Sequence, residues 1–193
     1  MIPFVKGHGL GNDYIVIDGR DLPAPLTVPQ VVRICDRNWG VGSDGILLKV
    51  PLQVGSEMLL VTAVSVGNPH CVVFVDVLDE ARVRALGPQI ERHPAFPNRI
   101  NVQFARVASR SQVDILIWER GAGYTLASGS SSSAVACAAV KNGLCDHGLV
   151  TVRMPGGTLE VDVRPDWSIR LKGPVEEVYA GTFSRDLMEA LKA

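Results

Sequence analysis

One pattern occurs twice in this chain and limits what it can fold into. Gly11-Asn12-Asp13-Tyr14-Ile15-Val16-Ile17-Asp18 is echoed by Gly67-Asn68-Pro69-His70-Cys71-Val72-Val73-Phe74-Val75-Asp76. Each copy opens with Gly-Asn at a turn, runs on through β-branched and aromatic residues suited to a strand, and closes at Asp. A helix-like segment follows each: residues 27–35, with Thr27 as a cap, and residues 79–91. A further strand comes next in both, over 45–50 and over 101–107. A repeat of this size predicts two similar α+β lobes.

The second copy continues where the first stops. Val113 to Trp118 reads as a strand and Glu119-Arg120-Gly121-Ala122-Gly123 as a polar turn. Ser128-Gly129 and four tandem serines then lead into an Ala/Val/Cys-rich helix that stops at Asn142-Gly143. Small and apolar residues surround that helix on every side, so it should be buried. A hairpin over 150–163 and a strand over 168–171 complete strands wrapped around one helix. The first copy has only residues 51–60 before the second begins, so the first lobe (1–60) reads as truncated. The second spans 61–181, and 182–193 form a C-terminal helix or tail. The short lobe should expose an unpaired sheet edge and apolar residues including Ile15, Ile17, Leu47 and Val50, which a homodimer would cover.

Charge and cysteine usage remove several classes of function. With 19 basic and 20 acidic residues the net charge is −1, and the pI is near 6.4, which leaves no footprint for nucleic acid or for a polybasic membrane anchor. No run of about 18 apolar residues exists to span a membrane, and the N-terminus lacks a signal-peptide pattern. A cytoplasmic protein is expected. Cys35, Cys71, Cys137 and Cys145 fall in unrelated contexts without CxxC spacing, which predicts reduced, structural thiols. His8, His70, His93 and His147 have no metal-ligand spacing, and neither a dinucleotide fingerprint nor a P-loop is present.

Several residues have the chemistry of a site. The serine-rich helix start offers unpaired backbone N–H groups and the positive end of the helix dipole, suited to a carboxylate. Glu119 and Arg120 place an acid and a fork-shaped cation beside it. Asn12, Asn68 and Asn101 recur at strand ends, where an amide can grip amino or carboxylate groups and where a plain turn residue is equally at home. His70 is a candidate base or orienting group.

Lys6 to Tyr14, Gly40-Val41-Gly42-Ser43-Asp44-Gly45, Ser65 to Val73, Phe96 to Val102 and Trp118 to Gly123 together resemble, in order, the motifs of the diaminopimelate epimerase family. The similarity runs over residues 3–181. It implies two pseudo-symmetric lobes, each wrapping strands around a central helix, with a site in the cleft between them. It also implies an isomerase that inverts one α-carbon of diaminopimelate, interconverting LL and meso forms for lysine and cell-wall synthesis without pyridoxal phosphate or another cofactor. Carried over by motif, Asn12, Asn68, Asn101, Glu119, Arg120, Gly129 and Ser130 bind substrate, while His70 and Glu119 tune the acid–base groups. Members normally use one cysteine per lobe as a thiol–thiolate pair. Here Ser128 stands at the second-lobe position and Tyr124 replaces a glutamate. The Cys-Gly-Asn-Gly motif of the first lobe is absent, its place lying near Gly55-Ser56-Glu57-Met58. The alternatives are a homologue that binds without catalysing, or a related racemase or dehydratase working with one base.

Overall fold

A computed structural model describes residues 4–9, 12–16, 22–24, 26, 27, 30, 34 and 45–177. Among the described residues eleven strands form one mixed sheet: β1 (Val5–Gly9), β2 (Asn12–Val16), β3 (Gly45–Val54), β4 (Glu57–Ser65), β5 (Pro69–Phe74), β6 (Asn101–Ser109), β7 (Gln112–Glu119), β8 (Gly123–Thr125), β9 (Gly148–Met154), β10 (Gly157–Val163) and β11 (Ile169–Lys172). The strands lie in the order β1 to β7, then β9, β10 and β11, with β8 beside β7. Helix α1 (Glu80–Glu91) and helix α2 (Gly129–Lys141) pack with two separate cores. The architecture is α+β.

Alternation along the strands divides those cores. Val61, Val73, Val102 and Phe104 join Val83, Leu86 and Ile90 of α1 in one cluster. Val64, Val72, Ala105, Val113, Ile115 and Ile117 join α2 in the other. Every residue from Ser131 to Val140 is buried, as a helix without a polar face must be. It stops as expected, with Asn142 as C-cap and Gly143 at φ +70°. Asp79 caps α1, its Oδ1 accepting from the Ala81 N–H at 2.9 Å.

The repeat reappears as a pairing pattern. β1 and β2 are antiparallel, β2 and β3 parallel, and β3 and β4 antiparallel. β4 and β5 are antiparallel, β5 and β6 parallel, and β6 and β7 antiparallel. Tyr14 lies opposite Gly45 as His70 lies opposite Asn101. β4 therefore serves in both series, closing the first and opening the second. Gly55, at φ +56°, begins the two-residue turn that sends β3 straight back as β4.

This corrects one expectation in part. Ile15 is paired on both sides, with Lys6 of β1 and Ile46 of β3, whereas β3 meets β2 only over Gly45–Leu47 and β4 only over Leu48–Val54, and β1 lies at the edge of the sheet. Val50 packs against the α1-side core. Ile17 lies outside the described residues, as does most of the helix expected over 27–35. Within that segment Gln30 and Ile34 are helical, and the Gln30 Oε1 accepts from the Thr27 backbone N–H at 2.8 Å, half of a capping box. Cys71, Cys137 and Cys145 are free thiols as expected, while Cys35 is not described.

Candidate active site

Three strand ends and one helix start converge on the motif residues. Asn68 sits in the β4–β5 turn, His70 near the start of β5 and Asn101 at the start of β6. Glu119 ends β7, and Ser128 caps α2.

His70 is fully buried. Its Nε2 lies 2.9 Å from the Asn68 Oδ1, and the Gln103 amide N–H donates to its Nδ1 at 3.0 Å. The first partner can only accept and the second can only donate, so the neutral ring carries its proton on Nε2. Burial lowers the ring pKa from 6.5 to about 4, and the positive charge of Arg120 pushes it the same way. His70 is thus a neutral donor to Asn68 at physiological pH.

A stability prediction follows. Below pH 6.5 the unfolded chain binds a proton at His70 that the folded chain refuses until about pH 4. Stability must therefore fall as pH drops through that window, by roughly 3 kcal/mol. Urea unfolding at pH 7 and pH 4.5 should show a loss larger in the wild type than in His70→Gln by about 2 kcal/mol. Equal losses would show that the buried imidazole does not control the acid limb.

Asn101 is committed at both ends of its amide. Its Nδ2 donates to the Pro69 carbonyl at 2.9 Å, and its Oδ1 accepts from the Arg120 backbone N–H at 3.0 Å. It ties the starts of β5 and β6 to the turn after β7. In that turn Gly121 and Gly123 have φ near +80°, which side-chain-bearing residues rarely adopt. Arg120 donates through Nη1 to the Asn98 carbonyl at 3.0 Å, and the half-exposed Glu119 carboxylate has no partner among the described residues. The two therefore do not pair with each other.

At the start of α2, Ser128 has extended backbone, and its Oγ accepts from the Ser131 N–H at 3.4 Å. The four tandem serines divide their work. Ser132 and Ser133 return their hydroxyls to the carbonyls of Ser128 and Gly129, and Ser131 receives an N–H from Gln103 at 2.9 Å. The Ser130 hydroxyl stays beside Ser128, at 3.4 Å. The backbone N–H groups of Gly129 and Ser130 have no partner among the described residues, so two donors remain for a carboxylate. A Cβ on Gly129 would meet only the Leu171 Cδ2, at 2.8 Å, the movable end of an exposed side chain.

Tyr124 turns to α1 instead. Its hydroxyl donates to Glu80 at 3.2 Å, and the Arg84 guanidinium lies 4.2 Å over its ring. Asn12 begins β2, but its side chain lies outside the description. No described cysteine replaces the thiol expected at Ser128. Burial pushes Cys71 well above the thiol range and Cys137 up to about 12, and Cys71 belongs to the α1-side core. No group of three or more His, Cys, Asp or Glu among the described residues could hold a metal. An open groove of about 660 Å³ lies elsewhere, lined by Phe74, Asp76, Arg106 and Leu144 beyond the far ends of β5 and β6.

Two residues that the sequence reading passed over hold this arrangement together. Gln103 is an isolated amide in an apolar strand, which was its available signal. Glu91, at 2% exposure, accepts from the Trp118 Nε1–H at 2.9 Å and the Gly121 N–H at 3.2 Å, and nothing local distinguishes it from a surface helix acid.

Comparison with known proteins adds to this geometry. The model of the diaminopimelate epimerase family matches residues 62–178. "Diaminopimelate epimerase 2" of Nostoc sp. (strain PCC 7120) is 33% identical over 275 positions, covering 95% of this chain and 96% of that protein. Since 95% of 193 residues is about 183, roughly ninety of those positions have no residue of this chain opposite them. The diaminopimelate epimerase of Nostoc punctiforme is 29% identical, over 93% of this chain and 99% of that one. Among solved structures, a PhzF-family phenazine biosynthesis protein of Bacillus anthracis has a TM-score of 0.43 at 15% identity, covering 58% of this chain and 38% of its own.

Proposed function

Because the chain belongs to the diaminopimelate epimerase family, a family of isomerases, we propose that it binds diaminopimelate and exchanges the proton on one α-carbon without a cofactor. The observation that carries this reading is the N–H pair of Gly129 and Ser130 beside Ser128, without a partner among the described residues, at the end of the sheet where Asn68, Asn101 and Arg120 gather. These donors suit the α-carboxylate, whose enolate-like form gains most from fixed donors as the proton leaves. Asn12, Asn68 and Arg120 complete the substrate contacts, with Asn101 shaping the turn. The Glu119 carboxylate, without a partner among the described residues, suits the α-ammonium group. Ser128 acts on the α-proton, with His70 and Glu119 setting the local electrostatics.

Full interconversion of LL and meso forms needs a base on one face of the α-carbon and an acid on the other. The serine favours a second reading. Its hydroxyl is already the helix cap, and an alcohol is a far weaker base than a thiolate, so binding without inversion fits the site as well. The truncated first lobe and the missing Cys-Gly-Asn-Gly motif support the same limit, and the unmatched positions against the Nostoc protein agree with it. A cytoplasmic location, supported by free thiols, and a homodimer, supported by exposed Met58 and Leu60 on β4, belong to this proposal.

Incubation with meso- and LL-diaminopimelate in deuterated water, read by mass spectrometry, separates the readings. Deuterium entering the α-position without pyridoxal phosphate is expected of the epimerase. Saturable binding with no exchange would establish the binding protein, and no binding would remove both.

A further inference from the structure

We infer that Gln103 is a positioning residue, which fixes the proton of His70 on Nε2 and ties that ring to the first turn of α2, so that Asn68 presents its amide N–H groups to the substrate. The inference rests on the reading of this end of the sheet as an amino-acid site.

A single run of hydrogen bonds crosses the site. The Asn68 Oδ1 accepts from the His70 Nε2–H at 2.9 Å, and the His70 Nδ1 accepts from Gln103 at 3.0 Å. The same Gln103 nitrogen donates to the Ser131 Oγ at 2.9 Å, and the Ser131 N–H donates to the Ser128 Oγ at 3.4 Å. Gln103, His70 and Ser131 are each fully buried, so no water competes for these groups. An amide nitrogen has two hydrogens, and both are spent here, one on each side.

The amide oxygen shows that Gln103 is not simply filling space. Gln103 Oε1 is buried and has no partner. Leaving a buried carbonyl unpaired is costly, and an apolar side chain would fill the same volume without that cost. What the amide supplies instead is a double donor between a ring nitrogen and a hydroxyl. Nδ1 can then take no second proton unless the amide turns about, because two donors would meet. His70 is left to donate through Nε2, which holds the Asn68 oxygen inward. The Asn68 Nδ2 has no partner among the described residues and is the end left for a carboxylate.

Nitrogen NMR on the full chain with ¹⁵N-labelled histidine tests the assignment. At pH 7 the wild type should show His70 with a bare Nδ1 and a protonated Nε2. Gln103→Glu puts an acceptor in place of the donor, so the ring should gain a proton on Nδ1. Gln103→Met, of similar length and without donors, should move the Nδ1 resonance and leave the fold intact by its amide spectrum. A wild-type ring protonated on Nδ1 would overturn the proposal. So would His70 nitrogens that are unchanged in a folded Gln103→Glu or Gln103→Met variant. Calorimetry with meso-diaminopimelate is a separate arm, in which Gln103→Met should bind at least fivefold more weakly than wild type. If the wild type binds no diaminopimelate, the proposed function fails, and the positioning of His70 still stands or falls on the nitrogen spectra.

Discussion

Ser128→Cys should turn a quiet helix cap into the fastest-reacting thiol among the described residues and raise α-proton exchange by about 100-fold, the low end of what a positioned base contributes. A thiol has a pKa of about 8.5, and a hydroxyl lies nearer that of water, about 15.7. At about 1.36 kcal/mol per unit the difference approaches 10 kcal/mol in the cost of forming the base. The cap position lowers the thiol further, because the Ser131 N–H already points at the side-chain atom and the positive end of α2 lies there. The described native thiols give little background, since burial raises Cys71, Cys137 and Cys145 alike. Sulfur is the poorer cap, so a stability loss of about 1 kcal/mol is expected. With no thiol motif in the first lobe, the variant should return deuterium to the face it left, labelling one configuration without racemising it. Alkylation rates and mass spectrometry measure both effects. A cysteine no more reactive than the native ones would show that residue 128 does not face the substrate space.

Glu91→Ala should cost about 3 kcal/mol of stability, because it strands two donors at once. The carboxylate is buried and holds the Trp118 indole N–H and the Gly121 N–H, with the Arg99 Nη1 at 3.7 Å. Arg99 itself sits at φ +58°, an unfavourable backbone for a side-chain-bearing residue, and its pairing with Glu91 helps hold it there. Through these contacts one acid on α1 fixes both ends of the segment carrying Glu119 and Arg120. For a chain of this size the loss corresponds to a fall of roughly 10 °C in the melting temperature. Glu91→Gln keeps one carbonyl acceptor and should recover about half. Urea titration with an unchanged slope is the measurement, and a shift under about 1 kcal/mol would mean that the turn does not depend on this carboxylate.

Much of the α2 end was legible in the residues. The Ser128 cap, the burial of residues 131–140 and the stop at Gly143 follow from local composition, which acts within a few residues. The strands around His70 and Asn101 were legible because their β-branched runs are bounded by turns. The chemistry was less so. Four tandem serines look alike in sequence, yet three of their hydroxyls are spent on the helix or on Gln103. Glu119 and Arg120 are adjacent in the chain and do not pair with each other, Arg120 turning instead to the Asn98 carbonyl, because neighbours at a strand end point to opposite sides.

By itself, the sequence determined the α+β character, the repeat, the family and the residues that share its motifs. Each of these is written in local periodicity or in runs of contiguous residues. Only the tertiary structure decided that β4 belongs to both series, pairing β3 on one side and β5 on the other. It alone brought Gln103 between His70 and Ser131, and Glu91 beneath Trp118 and Gly121. Those contacts join residues about 30 positions apart. Their energy comes from burying polar groups that must then find partners, and which partner is within reach depends on sheet register and helix placement rather than on any local pattern.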